Sequence, residues 1–165
     1  MTEKTDVFAA APQLMQDWQR TMFALHHAAS LEPKLTTLVQ IRASQINGCA
    51  NCINLHATEA RELGETQQRI DLLAAWREAP CYSARERAAL GWTEALTRLS
   101  DGSSLESARK ILQAHFSVEE QAKLTVSINI INGWNRLAVG FGLWADPAAV
   151  KAAAKLLAGR VAEVA

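Results

Sequence analysis

Helix caps and helical spacing run the length of this chain and leave little room for any other backbone. Ser83-Ala84-Arg85-Glu86, Ser103-Ser104-Leu105-Glu106 and Ser117-Val118-Glu119-Glu120 each set a serine three residues ahead of a glutamate. In such a capping box the serine side chain takes a free N–H of the first helical turn, and the glutamate reaches back to the serine N–H. Asp146-Pro147 reads as an N-cap followed by proline at the first helical position, and Gly64 as a C-cap. Between these marks apolar residues recur at three and four positions, and no stretch alternates as a strand would. The pattern predicts helices near 12–28, 33–46, 49–63, 67–78, 84–99, 104–115, 118–143 and 147–162, with a break at Gly133 left open. The expected fold is all-α: a single-domain helical bundle of about seven or eight helices spanning residues 1–165.

Charge narrows the partners. Lys plus Arg and Asp plus Glu each number 17, so the formal net charge is zero and nothing draws the chain to nucleic acid or an anionic membrane. The most apolar segment, "VSINIINGW", is too short and too polar to cross a bilayer. The N-terminal "MTEKTDVFAAAPQLMQDW" mixes acidic with basic residues and lacks an apolar run, so it does not read as a signal peptide. The expected location is cytoplasmic, where thiols stay reduced and C-x-x-C points to redox or metal chemistry before a structural disulfide.

That motif lies in "QINGCANCINLHATEA", residues 45–60. Asn47-Gly48 interrupts one helical pattern and the next begins at once, which puts Cys49 in the first turn of a helix. Cys52 is its neighbour at three residues, and His56 lies one turn further along the same face. A helix N-terminus favours negative charge, and thiols there or in C-x-x-C motifs titrate at roughly 3.5–7.5. The result is a nucleophile near neutral pH, a second thiol able to resolve it into a disulfide, and a histidine to carry the proton. Core packing, zinc and c-type haem are the rival readings. A structural zinc site needs four ligands, and His26, His27, His115 and Cys81 supply no second pair. Haem attachment needs histidine directly after the second cysteine, where Ile53 stands. Redox chemistry without a metal or cofactor is the best of the four.

Three blocks together resemble a known family: "LVQIRASQINGCANCINLHATEARELGE", "LLAAWREAPCYSARERAALGWTEALT" and "FSVEEQAKLTVSINIINGWNRL". They are similar to the carboxymuconolactone decarboxylase superfamily, in its alkylhydroperoxidase D-like branch, over about residues 15–145. The resemblance implies an all-α homo-oligomer, a trimer or hexamer. It also implies reduction of a hydroperoxide, with electrons from a dithiol donor such as a lipoyl-bearing or thioredoxin-like protein. By position it makes Cys49 and Cys52 the redox pair and His56 the relay histidine, with Cys52 attacking the peroxide and Cys49 resolving it. The helix-dipole argument leans the other way, toward Cys49.

The chain departs from the family where a relay glutamate is usual, twelve residues before the first cysteine: Thr37 stands there, and no threonine is a base at neutral pH. Some relatives carry histidine between the cysteines, where Asn51 lies here. Glu59 and Glu94 are the possible replacement acids. Three residues after His56, Glu59 is close enough to orient the ring, although a solvated surface carboxylate is the plainer expectation. Glu94 divides evenly between facing the site and pairing with a neighbouring arginine.

The remaining polar and aromatic residues have simpler expectations. Arg42, Ser44, Gln45 and Asn47 are expected to hold the backbone of the turn in preference to lining a pocket, and Trp134 and Arg136 to form a subunit contact in preference to a pocket wall. Trp76 and Trp92 should be core, and Cys81 an incidental thiol. His26 and His27 point to different sides of their helix, which excludes a joint ligand role. Three functions stay in view: thiol peroxidase first, then a redox-responsive oligomer with little turnover because of Thr37, then the family's lactone decarboxylation, against which the intact C-x-x-C counts.

Overall fold

The computed structural model describes residues 5–29, 31–101 and 105–162, with 156–162 described by backbone alone. The helices are α1 (Val7–Ala10), α2 (Pro12–Ala28), α3 (Pro33–Ile46), α4 (Ala50–Glu62), α5 (Gln67–Leu72), α6 (Ala84–Thr97), α7 (Leu105–Gln113), α8 (Val118–Phe141) and α9 (Pro147–Ala162). No strand occurs among the described residues. The fold is all-α as expected, with one short helix more, because Asp6 caps α1 by accepting from Phe8 N and Ala9 N. The helix expected over 67–78 is shorter: α5 tightens into a 3₁₀ turn at Leu73–Ala75.

The caps act as the sequence suggests. Both arms of the capping boxes form at Ser83/Glu86 and Ser117/Glu120, and Asp146 accepts from Ala148 N and Ala149 N at the start of α9. The box expected at Ser103 lies outside the described residues. Gly64 ends α4 with a left-handed φ of 77°. Gly133 does not break α8, which continues to Phe141. A Cβ at Gly133 would come within 3.1 Å of the Trp18 ring, so the missing side chain is the seat on which α2 packs.

α3 runs through the middle of the structure. Leu35 and Val39 join a cluster with Trp92, Leu112, Leu124 and Ile128 from α6, α7 and α8. Leu38 and Ile41 join a second cluster with Ala57, Leu73, Trp76 and Leu90. Ala43 joins a third with Cys49, Cys52, Ile131 and Ala138. Covered on so many sides, α3 also buries Thr37, Gln40 and Ser44. A buried polar group left unpaired costs about 1–3 kcal/mol, so each of these needs a partner or a reason. Thr37 donates to Lys34 O at 2.9 Å, and Ser44 donates to Gln40 O at 2.7 Å. Gln40 Oε1 has no partner.

Candidate active site

The site is built where α3 stops and α4 starts. Gly48 takes a left-handed φ of 67°, a conformation that costs other residues roughly 1–2 kcal/mol, and the chain reverses direction there. Asn47 anchors the turn to α8 by donating Nδ2–H groups to Asn132 Oδ1 (2.9 Å) and Asn135 Oδ1 (2.8 Å). Asn135 in turn donates to Ser44 Oγ at 3.0 Å. The expected backbone-holding role fits Ser44 and Asn47, while Arg42 reaches Glu94 and Gln45.

Cys49 is the N-cap of α4, one position ahead of its expected place, and its Sγ accepts from Cys52 N at 3.3 Å. The Cys49 thiol is held down to about 6, first by the hydrogen bond from the Cys52 side chain. Burial opposes this, and the Cys52 N–H, the Asn135 side chain and His56 reinforce it. The same thiol–thiolate hydrogen bond raises Cys52, with burial and the charge on Cys49 adding to it. The pair therefore carries one negative charge near neutral pH and holds it first on Cys49, in line with the helix-dipole argument.

A titration follows from this. Ultraviolet thiolate absorbance of the reduced protein should show one thiolate forming with a midpoint near 6, and Cys49→Ser should remove that step. A first midpoint at the ordinary thiol value, roughly 8.5, would contradict the assignment. The folded value lies below the unfolded one, so ionised Cys49 stabilises the fold above the unfolded value. That contribution is lost as pH falls through about 6.

One turn on, His56 Nδ1 lies 2.9 Å from Glu59 Oε2, and both side chains are buried. The solvated carboxylate expected at Glu59 is thus corrected: its exposure is 4% and it faces the ring. A carboxylate placed so accepts a hydrogen bond from Nδ1–H, the tautomer that leaves the Nε2 lone pair free. Glu94 is engaged elsewhere. It accepts from Arg42 Nε (2.8 Å), Trp76 Nε1 (2.8 Å) and Arg77 Nη1 (2.6 Å), the ion-pair arrangement. Burial resists its charge, but these donors outweigh burial and keep the carboxyl below its usual range. Thr37 is buried, and its hydroxyl turns to the backbone of its own helix.

Cys52 and His56 open onto a cavity of about 390 Å³. Its walls come from Phe8 on α1, Phe23 on α2, Leu55 on α4, Trp134 on α8, and Leu143 and Trp144 in the α8–α9 connection. Among the described residues the polar ones bordering it are His26, Gln40, Asn51, Cys52 and His56, and no Lys, Arg, Asp or Glu does. Cys49 is fully buried and lies behind this wall. Asn51, between the cysteines, accepts from Ala145 N at 2.8 Å and ties the α8–α9 connection over the cavity.

Two of these residues escaped the sequence reading. His26 enters the wall from α2, and burial lowers its pKa against the opposing charge of Glu59. Gln40 does so from α3. Neither has a spacing relation to Cys52, so no local signal could have found them. Trp134, for which a pocket wall is the alternative to a subunit contact, lines the cavity and meets Trp18 edge to face at 6.0 Å. Trp76 and Trp92 are core, as expected. Among the described residues no group of three or more His, Cys, Asp or Glu side chains is arranged to hold a metal ion.

Comparison with known proteins agrees with this architecture. The model of the Carboxymuconolactone decarboxylase family matches residues 12–95. An uncharacterized protein of Bacillus subtilis (strain 168), YdfG, is 34% identical over 145 residues, which cover 86% of this chain and 96% of YdfG. A crystal structure from Agrobacterium tumefaciens, of a protein of unknown function named for antioxidant defence as AhpD, superposes with a TM-score of 0.81 at 38% identity. It covers 87% of this chain and 97% of its own. An alkylhydroperoxidase AhpD core from Ralstonia eutropha JMP134 shares the fold, with a TM-score of 0.71 at 21% identity over 87% of this chain and 76% of that one. With its C-x-x-C turn at the head of α4, the chain belongs to the carboxymuconolactone decarboxylase family, in its alkylhydroperoxidase D-like branch.

Proposed function

We propose that this chain is a thiol-dependent hydroperoxide reductase. The observation that carries the reading is the meeting of Cys52 and His56, with Glu59 behind the ring, at the wall of one apolar cavity. The charge of the cysteine pair passes to Cys52 when its proton moves to the Cys49 sulfur. Cys52 Sγ then attacks the terminal oxygen of the hydroperoxide. The O–O bond breaks, Cys52 becomes a sulfenic acid, and the alcohol leaves with a proton relayed through His56. The Cys49 sulfur displaces hydroxide from Cys52, water forms with a further proton, and a Cys49–Cys52 disulfide remains. A dithiol donor, lipoyl-bearing or thioredoxin-like, reduces that disulfide by exchange and becomes a disulfide itself.

Glu59 takes the place of the relay glutamate that Thr37 lacks. Its support is the 2.9 Å contact to Nδ1, which fixes the tautomer needed for Nε2 to move protons. In this reading the protomer acts as one domain within a homo-oligomer, a trimer or hexamer, in the cytoplasm. Exposed Leu25, Val139 and Phe141 are apolar surface that such an assembly would cover. No helix among the described residues is long and apolar enough to cross a membrane.

The test is steady-state consumption of cumene hydroperoxide with dihydrolipoamide, beside a Cys49→Ser/Cys52→Ser double variant. Turnover lost in the variant supports the reading. A wild-type pair that oxidises once to a disulfide and never cycles would replace it with a redox-responsive protein.

A further inference from the structure

Among the described residues nothing pairs with the side-chain oxygen of Gln40. Gln40 lies on the central helix α3, only 4% exposed, one turn beyond Thr37 and one turn before Ser44. Both of those neighbours are satisfied within the fold, Thr37 by Lys34 O and Ser44 by Gln40 O and Asn135. The Gln40 carboxamide is not: its Oε1 is buried without a partner. The other such atoms among the described residues are Trp18 Nε1, Glu65 Oε2 and Ser127 Oγ, and none of these residues borders the cavity. Gln40 does, together with Cys52 and His56.

Two of the other polar groups at this wall are already engaged, and His26 also borders it. Asn51 Oδ1 is taken by the Ala145 N–H, and His56 Nδ1 is turned to Glu59. A primary amide presents an acceptor or a donor by rotation about its last torsion, at little energetic cost. It cannot serve as a base near neutral pH, so what it offers a ligand is position. With no Lys, Arg, Asp or Glu at the wall among the described residues, the ligand that fits is neutral and largely hydrocarbon, with one oxygen-bearing end.

We propose that Gln40 is the substrate-positioning residue of this cavity, hydrogen-bonding the O–O–H end of a neutral, bulky apolar hydroperoxide so that its terminal oxygen faces Cys52. The inference rests on the peroxidase reading and adds to it both the substrate class and the residue that orients it. The Oε1 atom accepts from the terminal O–H, or Nε2–H donates to the oxygen that departs as alcohol. Proton transfer stays with His56.

Gln40→Met keeps the length and removes both hydrogen-bonding ends, and it is tested first without turnover. Binding of 2-phenylpropan-2-ol, the product alcohol of cumene hydroperoxide, is compared with binding of isopropylbenzene through the fluorescence of Trp134 and Trp144. The expected result is that Gln40→Met weakens alcohol binding about tenfold, the usual worth of one hydrogen bond, and leaves the hydrocarbon unchanged. The rate of cysteine oxidation by cumene hydroperoxide falls by a similar factor. The melting temperature holds or rises, because an unpaired buried amide has been removed. Gln40→Asn, which retracts the amide, should show the same selective loss should Gln40→Met fold poorly. An unchanged ratio of alcohol to hydrocarbon affinity, whatever happens to the melting temperature, makes Gln40 a packing residue and overturns the assignment. Selective alcohol binding that depends on Gln40, in a wild type that reduces no hydroperoxide, would overturn the peroxidase reading and keep Gln40 as a ligand-binding group.

Discussion

Cys52→Ser is expected to reduce hydroperoxide consumption to that of buffer, and the reason is position. Cys52 borders the cavity, whereas Cys49 is fully enclosed between α3, α4 and α8. Cys49 is the better anion, yet an enclosed thiolate cannot meet a bulky substrate; its charge is useful because the hydrogen bond it accepts from Cys52 lets the proton cross between the sulfurs. A serine hydroxyl at position 52 ionises far too weakly to attack in its place. Cys49→Ser should behave differently. It should consume one equivalent of hydroperoxide and then stall with a sulfenic acid on Cys52, trappable by dimedone and located by peptide mass spectrometry. A trapped sulfenic acid on Cys49 in the Cys52→Ser variant, or undiminished turnover there, would reverse the two roles.

The second large effect belongs to the histidine. His56→Ala should lower kcat/KM for cumene hydroperoxide by about 10²–10⁴-fold, the range that a positioned acid–base group contributes. Disulfide formation should remain possible, since both thiols are intact. Added imidazole should restore part of the rate, because the vacated space adjoins a cavity of about 390 Å³. Glu59→Gln should fall between wild type and His56→Ala: it keeps a hydrogen-bonding end near Nδ1 but not the charge that supports the imidazolium. A His56→Ala enzyme within twofold of wild type would show that protons travel by another path, and His26, at the same wall, would be the first residue to examine.

How much of this was legible beforehand differs from residue to residue. The helices at Ser83, Ser117 and Asp146 were readable because a cap is a local contract between side chain and backbone within one turn. Cys49, Cys52 and His56 were readable for the same reason, since three- and four-residue spacings on a helix fix which groups are neighbours. Glu59 was only half readable. Spacing put it beside His56, but whether that stripe of α4 meets water or protein depends on segments far away in the chain.

The dipeptide Asn-Gly makes the division plain. At Asn47-Gly48 it ends α3, with Gly48 at a φ of 67°; at Asn132-Gly133 the same pair lies inside an unbroken α8. Local preference is alike at both places. What differs is that Trp18 packs where a Cβ at Gly133 would be, whereas a Cβ at Gly48 would meet nothing within 4 Å among the described residues. His26, Gln40 and Trp134 belong to the same class: they reach the cavity from α2, α3 and α8, and the sequence distance between them and Cys52 carries no trace of it. The sequence by itself determined the helices and the C-x-x-C pair with a histidine one turn on, because those depend on contacts within a turn or two. The tertiary structure decided that Glu59 is buried against the histidine, what walls the cavity and which cysteine faces it, because each of those depends on which distant helix covers which face.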